Sequence, residues 1–215
     1  MKIYGISGLG ADKRVFDALT LDVEFVPIDW ITPKKKESIK KYSKRLSAII
    51  DVENDFCLIG VSFGGLIATE INQILRPKKT ILISSAHTKY ELPAIFRWFG
   101  KTKLIRFIPT FLFDPPRFIA TYLFGVKDGQ LLRAILDDTD LDFTKWAINE
   151  LTNWKNTIQA NNILKINGTK DKLIPPKGTT KMVLIDDGAH FMIVDRANEI
   201  SKIINEEVKK CYSTI

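Results

Sequence analysis

Phe56-Cys57-Leu58-Ile59-Gly60-Val61-Ser62-Phe63-Gly64-Gly65-Leu66-Ile67-Ala68 is the stretch on which the reading of this chain turns. Its first four residues form a short apolar run of the kind that suits a buried strand. Leu66 opens a helix-like pattern that Arg76-Pro77 stops. Between the two, Gly60-Val61-Ser62-Phe63-Gly64 is a G-x-S-x-G pattern in strand–turn–helix context, the setting a nucleophilic serine requires. The glycines leave room for a strained turn that points a hydroxyl away from the sheet, and the helix N-terminus beneath favours nearby negative charge. A plain tight turn is the competing reading, and the surroundings decide between them.

Short apolar runs ended by Gly, Ser or Asp predict strands at Lys2–Ser7, Glu24–Ile28, Asp55–Gly60, Thr80–Ser84, Ile163–Asn167 and Lys181–Ile185. Helix-like patterns fall between them at Ala11–Leu19, Lys36–Ile50 and Phe63–Leu75, with a last one from Asp195 to Cys211. Strands alternating with helices imply βαβ units: an α/β protein with a doubly wound, mostly parallel sheet, whose ligands bind beyond the carboxyl ends of the strands.

The alternation breaks between His87 and Lys155. No good strand appears there, and Tyr90, Phe96, Trp98, Phe99, Phe107, Phe111, Phe113, Phe118, Tyr122 and Phe124 crowd together. Four prolines, Pro93, Pro109, Pro115 and Pro116, divide the region into short helices, and Trp146 and Trp154 are expected on the helix that returns to the sheet. The chain therefore divides into a core, residues 1–88 and 155–215, and a helical cap or lid insertion, residues 89–154. Aromatics at helical spacing are more often core than ligand box, but an insertion over the carboxyl edge of a sheet makes both readings hold.

With 215 residues, 45% hydrophobic and 27% charged, the chain has the size and composition of one α/β domain with a small insertion. The apolar run at Met1-Lys2-Ile3-Tyr4-Gly5-Ile6 is too short for a signal peptide, so a cytoplasmic location is expected and no membrane span. Cys57 and Cys211 supply neither a disulfide framework nor a metal-ligand cluster. The net charge of +7 comes largely from Lys34-Lys35-Lys36, Lys40, Lys41, Lys44 and Arg45, with Ile39, Tyr42, Leu46, Ile49 and Ile50 interleaved at helical spacing. That pattern reads as the solvated basic face of an amphipathic helix; attraction to an anionic substrate or nucleic acid is the weaker reading, and no nucleic-acid motif supports it. Oligomeric state is not set by any of these features.

A serine hydroxyl is a poor nucleophile until a base takes its proton, and the chain offers two histidines. His190, in Asp186-Asp187-Gly188-Ala189-His190-Phe191, directly follows the last strand and is the expected base. His87 follows Ile81-Leu82-Ile83-Ser84-Ser85-Ala86; it reads better as a hydrogen-bonded pocket or hinge residue and is the reserve candidate. The base needs a carboxylate to hold its tautomer. Asp171, in Gly168-Thr169-Lys170-Asp171, is preferred to Asp186 and Asp187, because sequence adjacency says little about convergence and a two-acid loop is usually solvated. One oxyanion donor should be the backbone N–H of Phe63, and Ser7-Gly8-Leu9-Gly10 places the N–H of Leu9 to supply the other. Read as a phosphate cradle, that loop lacks the third glycine, since Lys13 stands in its place.

Taken together, Ser7-Gly8-Leu9-Gly10-Ala11-Asp12, the elbow at Ser62, Gly-Thr-Lys-Asp ending at Asp171 and Gly-Ala-His-Phe around His190 resemble the α/β-hydrolase superfamily, in the chain order Ser, Asp, His. The resemblance spans both ends of the chain. It implies a serine hydrolase of the esterase and lipase type with the triad Ser62, Asp171 and His190, no metal or cofactor, and a variable cap, but not a substrate; the aromatic insertion suggests a small, apolar acyl or aromatic one, with lactones, thioesters and carbon–carbon bond cleavage left open. Serine at the elbow separates it from dehalogenase and epoxide-hydrolase chemistry, which uses an aspartate there in similar proteins. This chain departs from the pattern in having Ser7-Gly8 where many members have His-Gly, and in lacking two leading strands, so that Lys2–Ser7 takes the third-strand role in a fold trimmed at the N-terminus. Only Leu173 to Thr180 separates Asp171 from the last strand, too short for a full crossover helix. A binding protein that keeps the fold and triad but turns over slowly or not at all is the alternative from another class.

Overall fold

A computed structural model describes residues 1–102, 104–126 and 129–212. Six strands, β1 (Lys2–Ile6), β2 (Phe25–Ile28), β3 (Phe56–Val61), β4 (Lys79–Ile83), β5 (Ile163–Gly168) and β6 (Met182–Ile185), form one sheet in the order β2-β1-β3-β4-β5-β6. Every neighbouring pair is parallel. The order reverses once, between β1 and β3, and the connections that leave the carboxyl ends of these two paired strands run in opposite directions across the sheet, which leaves a crevice beyond those ends. β1 and β3 bury almost every side chain, as expected for central parallel strands covered on both faces.

Two hydrophobic clusters lie on the two faces. One gathers Tyr42 and Leu46 of α1 (Ile39–Leu46), Phe63, Leu66 and Ile67 of α2 (Phe63–Leu75), and Leu58 of β3. The other gathers Val15 and Phe16 with Ile59, Ile81 and Ile166, closed by Ile200, Ile204 and Val208 of the terminal helix. The connection from β4 to β5 carries α3 (Ala94–Thr102), short 3-10 turns at Leu104–Phe107 and Thr110–Phe113, α4 (Arg117–Phe124), α5 (Gly129–Asp137) and α6 (Leu141–Thr152). Lys103, Lys127 and Asp128, which fall in the expected cap, lie outside the described residues. After β6 come α7 (Met192–Asp195) and α8 (Ala197–Tyr212).

Three expectations need correction. The helix expected at Ala11–Leu19 is a single 3-10 turn, Lys13–Phe16: Asp12 caps its start, and after Phe16 the Asp17 and Leu19 amides turn back onto the Arg14 and Phe16 carbonyls while the Thr20 amide donates to Ser201 Oγ, which draws the chain toward the terminal helix. The basic helix is shorter than Lys36–Ile50. Ser38 caps it from Ile39, Glu37 closes a turn onto the Lys34 amide, and the last turn tightens to 3-10 geometry at Ser47–Ile49. Trp154 lies two residues beyond α6, where its indole N–H donates to Glu70 Oε1 at 2.8 Å; only Trp146 is on the helix. Lys40, Lys41 and Lys44 on α1 are exposed, and Arg45 pairs with the buried Glu37. Among the described residues, no helix is long and apolar enough to cross a membrane.

Candidate active site

Ser62 is the single residue between the end of β3 and the start of α2, and its backbone is held at φ 51°, ψ −118°, a region that L residues rarely adopt. Four contacts impose it. The Ser62 amide donates to Ile83 O at 2.9 Å, its carbonyl accepts from Gly65 N at 3.0 Å and from Ser85 Oγ at 2.6 Å, and the next side chain, Phe63, is fully buried against Trp30 and Trp146. Only glycine fits at Gly64 and Gly65, in the first turn of α2. A Cβ on Gly64 would overlap the carbonyls of Ile6 and Ser7 at the end of β1, and one on Gly65 would overlap Ser85 at the end of β4. The elbow is thus wedged between two strand ends with its hydroxyl directed out of the sheet.

That hydroxyl meets His190. Ser62 Oγ lies 2.8 Å from His190 Nε2, and His190 Nδ1 lies 2.8 Å and 3.0 Å from the two carboxylate oxygens of Asp171. Nδ1–H therefore donates to Asp171 and Nε2 accepts from the serine, which is the tautomer a general base requires. Asp171 is held in turn. Its Oδ1 accepts the amides of Leu173 and Ile174, each at 2.9 Å, and both it and His190 are buried. Phe124 of α4 meets the imidazole edge to face at 5.5 Å, and its carbonyl accepts the Phe191 amide.

The other candidates stand elsewhere. His87 has both ring nitrogens occupied: Nε2 accepts from Ala160 N at 3.1 Å, so Nδ1–H donates to Thr180 Oγ1 at 2.8 Å. Burial, assisted by the Lys165 charge and only partly opposed by Glu91, holds its pKa below the ordinary imidazole value. It is a neutral, buried bracket. Asp187 pairs with Lys170 at 2.6 Å on the surface, and neither it nor Asp186 bonds His190 among the described residues.

The loop after β1 packs against the elbow. A Cβ built on Gly8 would sit 3.4 Å from Ser62 Cβ, and Leu9 shares a cavity wall with Ser62 and His190. Ser7 Oγ donates to Ala11 O at 2.8 Å, and Trp30 Nε1 donates to the same carbonyl at 2.9 Å. These two bonds close the loop. Among the described residues, neither the Leu9 nor the Phe63 amide donates to a protein acceptor.

Ser62 and His190 open onto a cavity of about 270 Å³ whose walls are mainly apolar: Val61, Phe96, Phe124, Leu151, Leu173 and Ile174 among them, with Thr152 a polar exception. A larger, more open groove of about 580 Å³ between α1, α2 and α6 contains none of the three residues. Sequence reasoning missed the Leu173 and Ile174 amides and the Ser85 hydroxyl. The first had a signal: Asp171 followed two and three residues on by amides, then Pro175-Pro176, is an Asx-type turn. Ser85 had none, because its role depends on the register of β4 against β3.

No family model and no curated protein matches the chain. Solved structures do. A thermophilic esterase from Thermogutta terrifontis superposes with a TM-score of 0.71 at 14% identity, covering 98% of this chain and 90% of its own. MenH from S. aureus gives 0.71 at 18% identity, covering 99% and 94%, and the meta-cleavage product hydrolase from Pseudomonas fluorescens IP01 gives 0.68 at 12% identity, covering 98% and 91%. The chain has the α/β-hydrolase fold.

Proposed function

We propose that the chain is a serine hydrolase that cleaves a carboxylic ester or related acyl bond of a small, apolar substrate. The observation that carries this reading is the hydrogen-bonded series Ser62–His190–Asp171 at the mouth of an apolar cavity. Ser62 Oγ attacks the acyl carbon as His190 Nε2 takes its proton; Asp171 keeps the imidazole in the reactive tautomer and stabilises the imidazolium. The carbonyl oxygen becomes an oxyanion, for which the amides of Leu9 and Phe63 are the donors. His190 then protonates the departing alcohol, and a water activated by the same nitrogen releases the acid from the acyl-serine. Residues 89–154 act as the cap, with Phe96, Phe124 and Leu151 shaping the acyl side of the cavity. No metal or cofactor takes part in these steps.

An ester is favoured over a carbon–carbon bond because the cavity walls offer few polar side chains to hold a charged or polyhydroxylated substrate; among similar structures both an esterase and a meta-cleavage product hydrolase occur. The test is hydrolysis of p-nitrophenyl esters of increasing chain length. Ser62→Ala and His190→Ala are expected to lower kcat by about three orders of magnitude or more, Ser62→Ala at unchanged melting temperature, while His87→Ala acts mainly on stability. Equal rates in wild type and Ser62→Ala would remove Ser62 from the reaction. No turnover by wild type, with a ligand-induced rise in melting temperature, would instead make the chain a binding protein on a hydrolase fold.

A further inference from the structure

The side chains left on the surface of the cap are unlike those elsewhere on the molecule. Of seventeen large hydrophobic side chains exposed among the described residues, eleven fall between Tyr90 and Tyr122. They include Phe107 at 82%, Phe118 at 75% and Phe111 at 67% exposure, with Trp98, Leu112 and Tyr122 beside them in sequence. Isolated exposed apolar residues are ordinary, but such a concentration marks an interaction surface. The helices concerned also build the site: α3 sends Phe96 into the cavity while Trp98 and Phe99 face solvent, and α4 sends in Phe124 while Phe118 and Tyr122 face solvent.

Charge selects the occupant. Residues 94–122 contain five basic residues, Arg97, Lys101, Lys103, Arg106 and Arg117, against Asp114 alone. Arg117 is paired with Asp114 and Asp137, but Arg97 donates to the carbonyls of Lys89, Tyr90 and Leu92 and has no carboxylate partner among the described residues, and Lys101 is exposed. Two further cations flank the aromatics: Lys172 Nζ lies 3.4 Å from the Tyr122 ring centre, and Lys89 Nζ lies 5.0 Å from that of Tyr90. A second copy docked about a two-fold axis would set these cations against themselves. A negatively charged lipid surface complements them, with Trp, Tyr and Phe entering the headgroup boundary and Lys and Arg meeting phosphate.

We propose that the outer face of residues 94–122 docks the protein peripherally onto anionic phospholipid bilayers. On the hydrolase reading of Ser62, an apolar ester dissolved in the bilayer would then be presented at the cap. Docking itself does not depend on that chemistry, so Ser62→Ala binds vesicles as wild type does.

The experiment is cosedimentation of the full chain with vesicles of phosphatidylcholine containing about a third phosphatidylglycerol, against vesicles of phosphatidylcholine alone. Binding to the anionic vesicles is expected to be at least about tenfold tighter and to weaken as salt is raised. The variant Phe107→Ser/Phe111→Ser/Phe118→Ser should lose about tenfold or more on the anionic vesicles while keeping its melting temperature and its rate on a soluble short-chain ester. Lys101→Glu/Lys172→Glu, which leaves the aromatics in place, should lose the preference for anionic lipid. Absent or charge-independent vesicle binding overturns the proposal. So does a dimer in light scattering that the triple variant converts to monomer without any vesicle binding, which would make the occupant a second copy of the chain.

Discussion

The elbow and the outer cap are both rich in apolar side chains, and they use them in opposite ways. From Phe56 to Leu75 nearly every apolar residue is buried, and even the glycines are fixed by contacts with neighbouring strands. From Ala94 to Tyr122 the helices are short, separated by prolines and 3-10 turns, and turn most of their aromatic rings outward. The first region makes one geometry obligatory, which holds Ser62 at its strained backbone angles. The second keeps only one face of each helix on the molecule and leaves the other to whatever the cap meets. Hydrophobicity alone therefore does not say which residues form the core; the packing partners do.

The contrast is sharpest where the two regions join. Lys165, in the middle of β5, is 1% exposed; its ammonium lies 2.6 Å from Glu91 Oε2, just before α3, and 2.6 Å from Lys177 O. Removing the cation strands a buried carboxylate, so Lys165→Met is expected to cost about 3–5 kcal/mol in denaturant unfolding, and Lys165→Met/Glu91→Gln to recover part of it. A loss under about 1 kcal/mol would mean that the cap start is not anchored to the sheet through this pair.

A smaller effect is expected at the opposite end of the sheet. Burial raises the Glu207 pKa, but hydrogen bonds from Lys210, Lys79 and Lys181 overcome this and bring it down to about 2 from an ordinary 4.5. The folded value lies below the unfolded one, so the stabilisation is complete above about pH 4.5 and is lost as pH falls toward 2. Lys181 and Lys210 are 61% and 64% exposed, and solvent screening reduces the contribution to roughly 2 kcal/mol. Urea melts of Glu207→Gln should show a shallower acid limb than wild type; parallel limbs would exclude Glu207 as its source. The least change belongs to the cap exterior, where Phe118→Ser should shift stability by no more than about 0.5 kcal/mol because little apolar contact is lost. A large destabilisation would show that this face is packed, not free.

Much of the frame could be read from residues alone because a buried parallel sheet writes a strong local signal. All six strands and α2 fall where apolar runs and Arg76-Pro77 predict them. Ser62, His190 and Asp171 converge although they are far apart in sequence, since each follows a strand whose carboxyl end faces the same edge. Trp154 and the Ala11–Leu19 segment depart from the sequence pattern because helical spacing can persist past a real helix end, and because the chain after Phe16 is drawn to Ser201 of the terminal helix, a contact that local spacing does not encode. The division of the aromatics was hidden for a different reason. Phe96 and Phe99 have the same local pattern, yet one lines the cavity and the other faces solvent, which depends on how α3 is rolled against α6. Lys165 gave no warning either, for a single lysine in an apolar strand does not announce a partner 74 positions away.

The absent crossover helix between β5 and β6 has a bearing on how such a protein can change. Residues 169–181 carry the carboxylate that bonds His190, two side chains of the cavity wall, the carbonyl that receives Lys165 and the threonine that receives His87. Where a helix would separate these duties, one extended tether combines them. Leu173 and Ile174 line the cavity with their side chains and hold Asp171 with their amides, so on the proposed mechanism a change of substrate at this wall is coupled to the alignment of His190. The proposed mechanism leaves diversification less constrained at the opposite wall, where Phe96 and Leu151 line the cavity and supply none of the hydrogen bonds that hold Asp171.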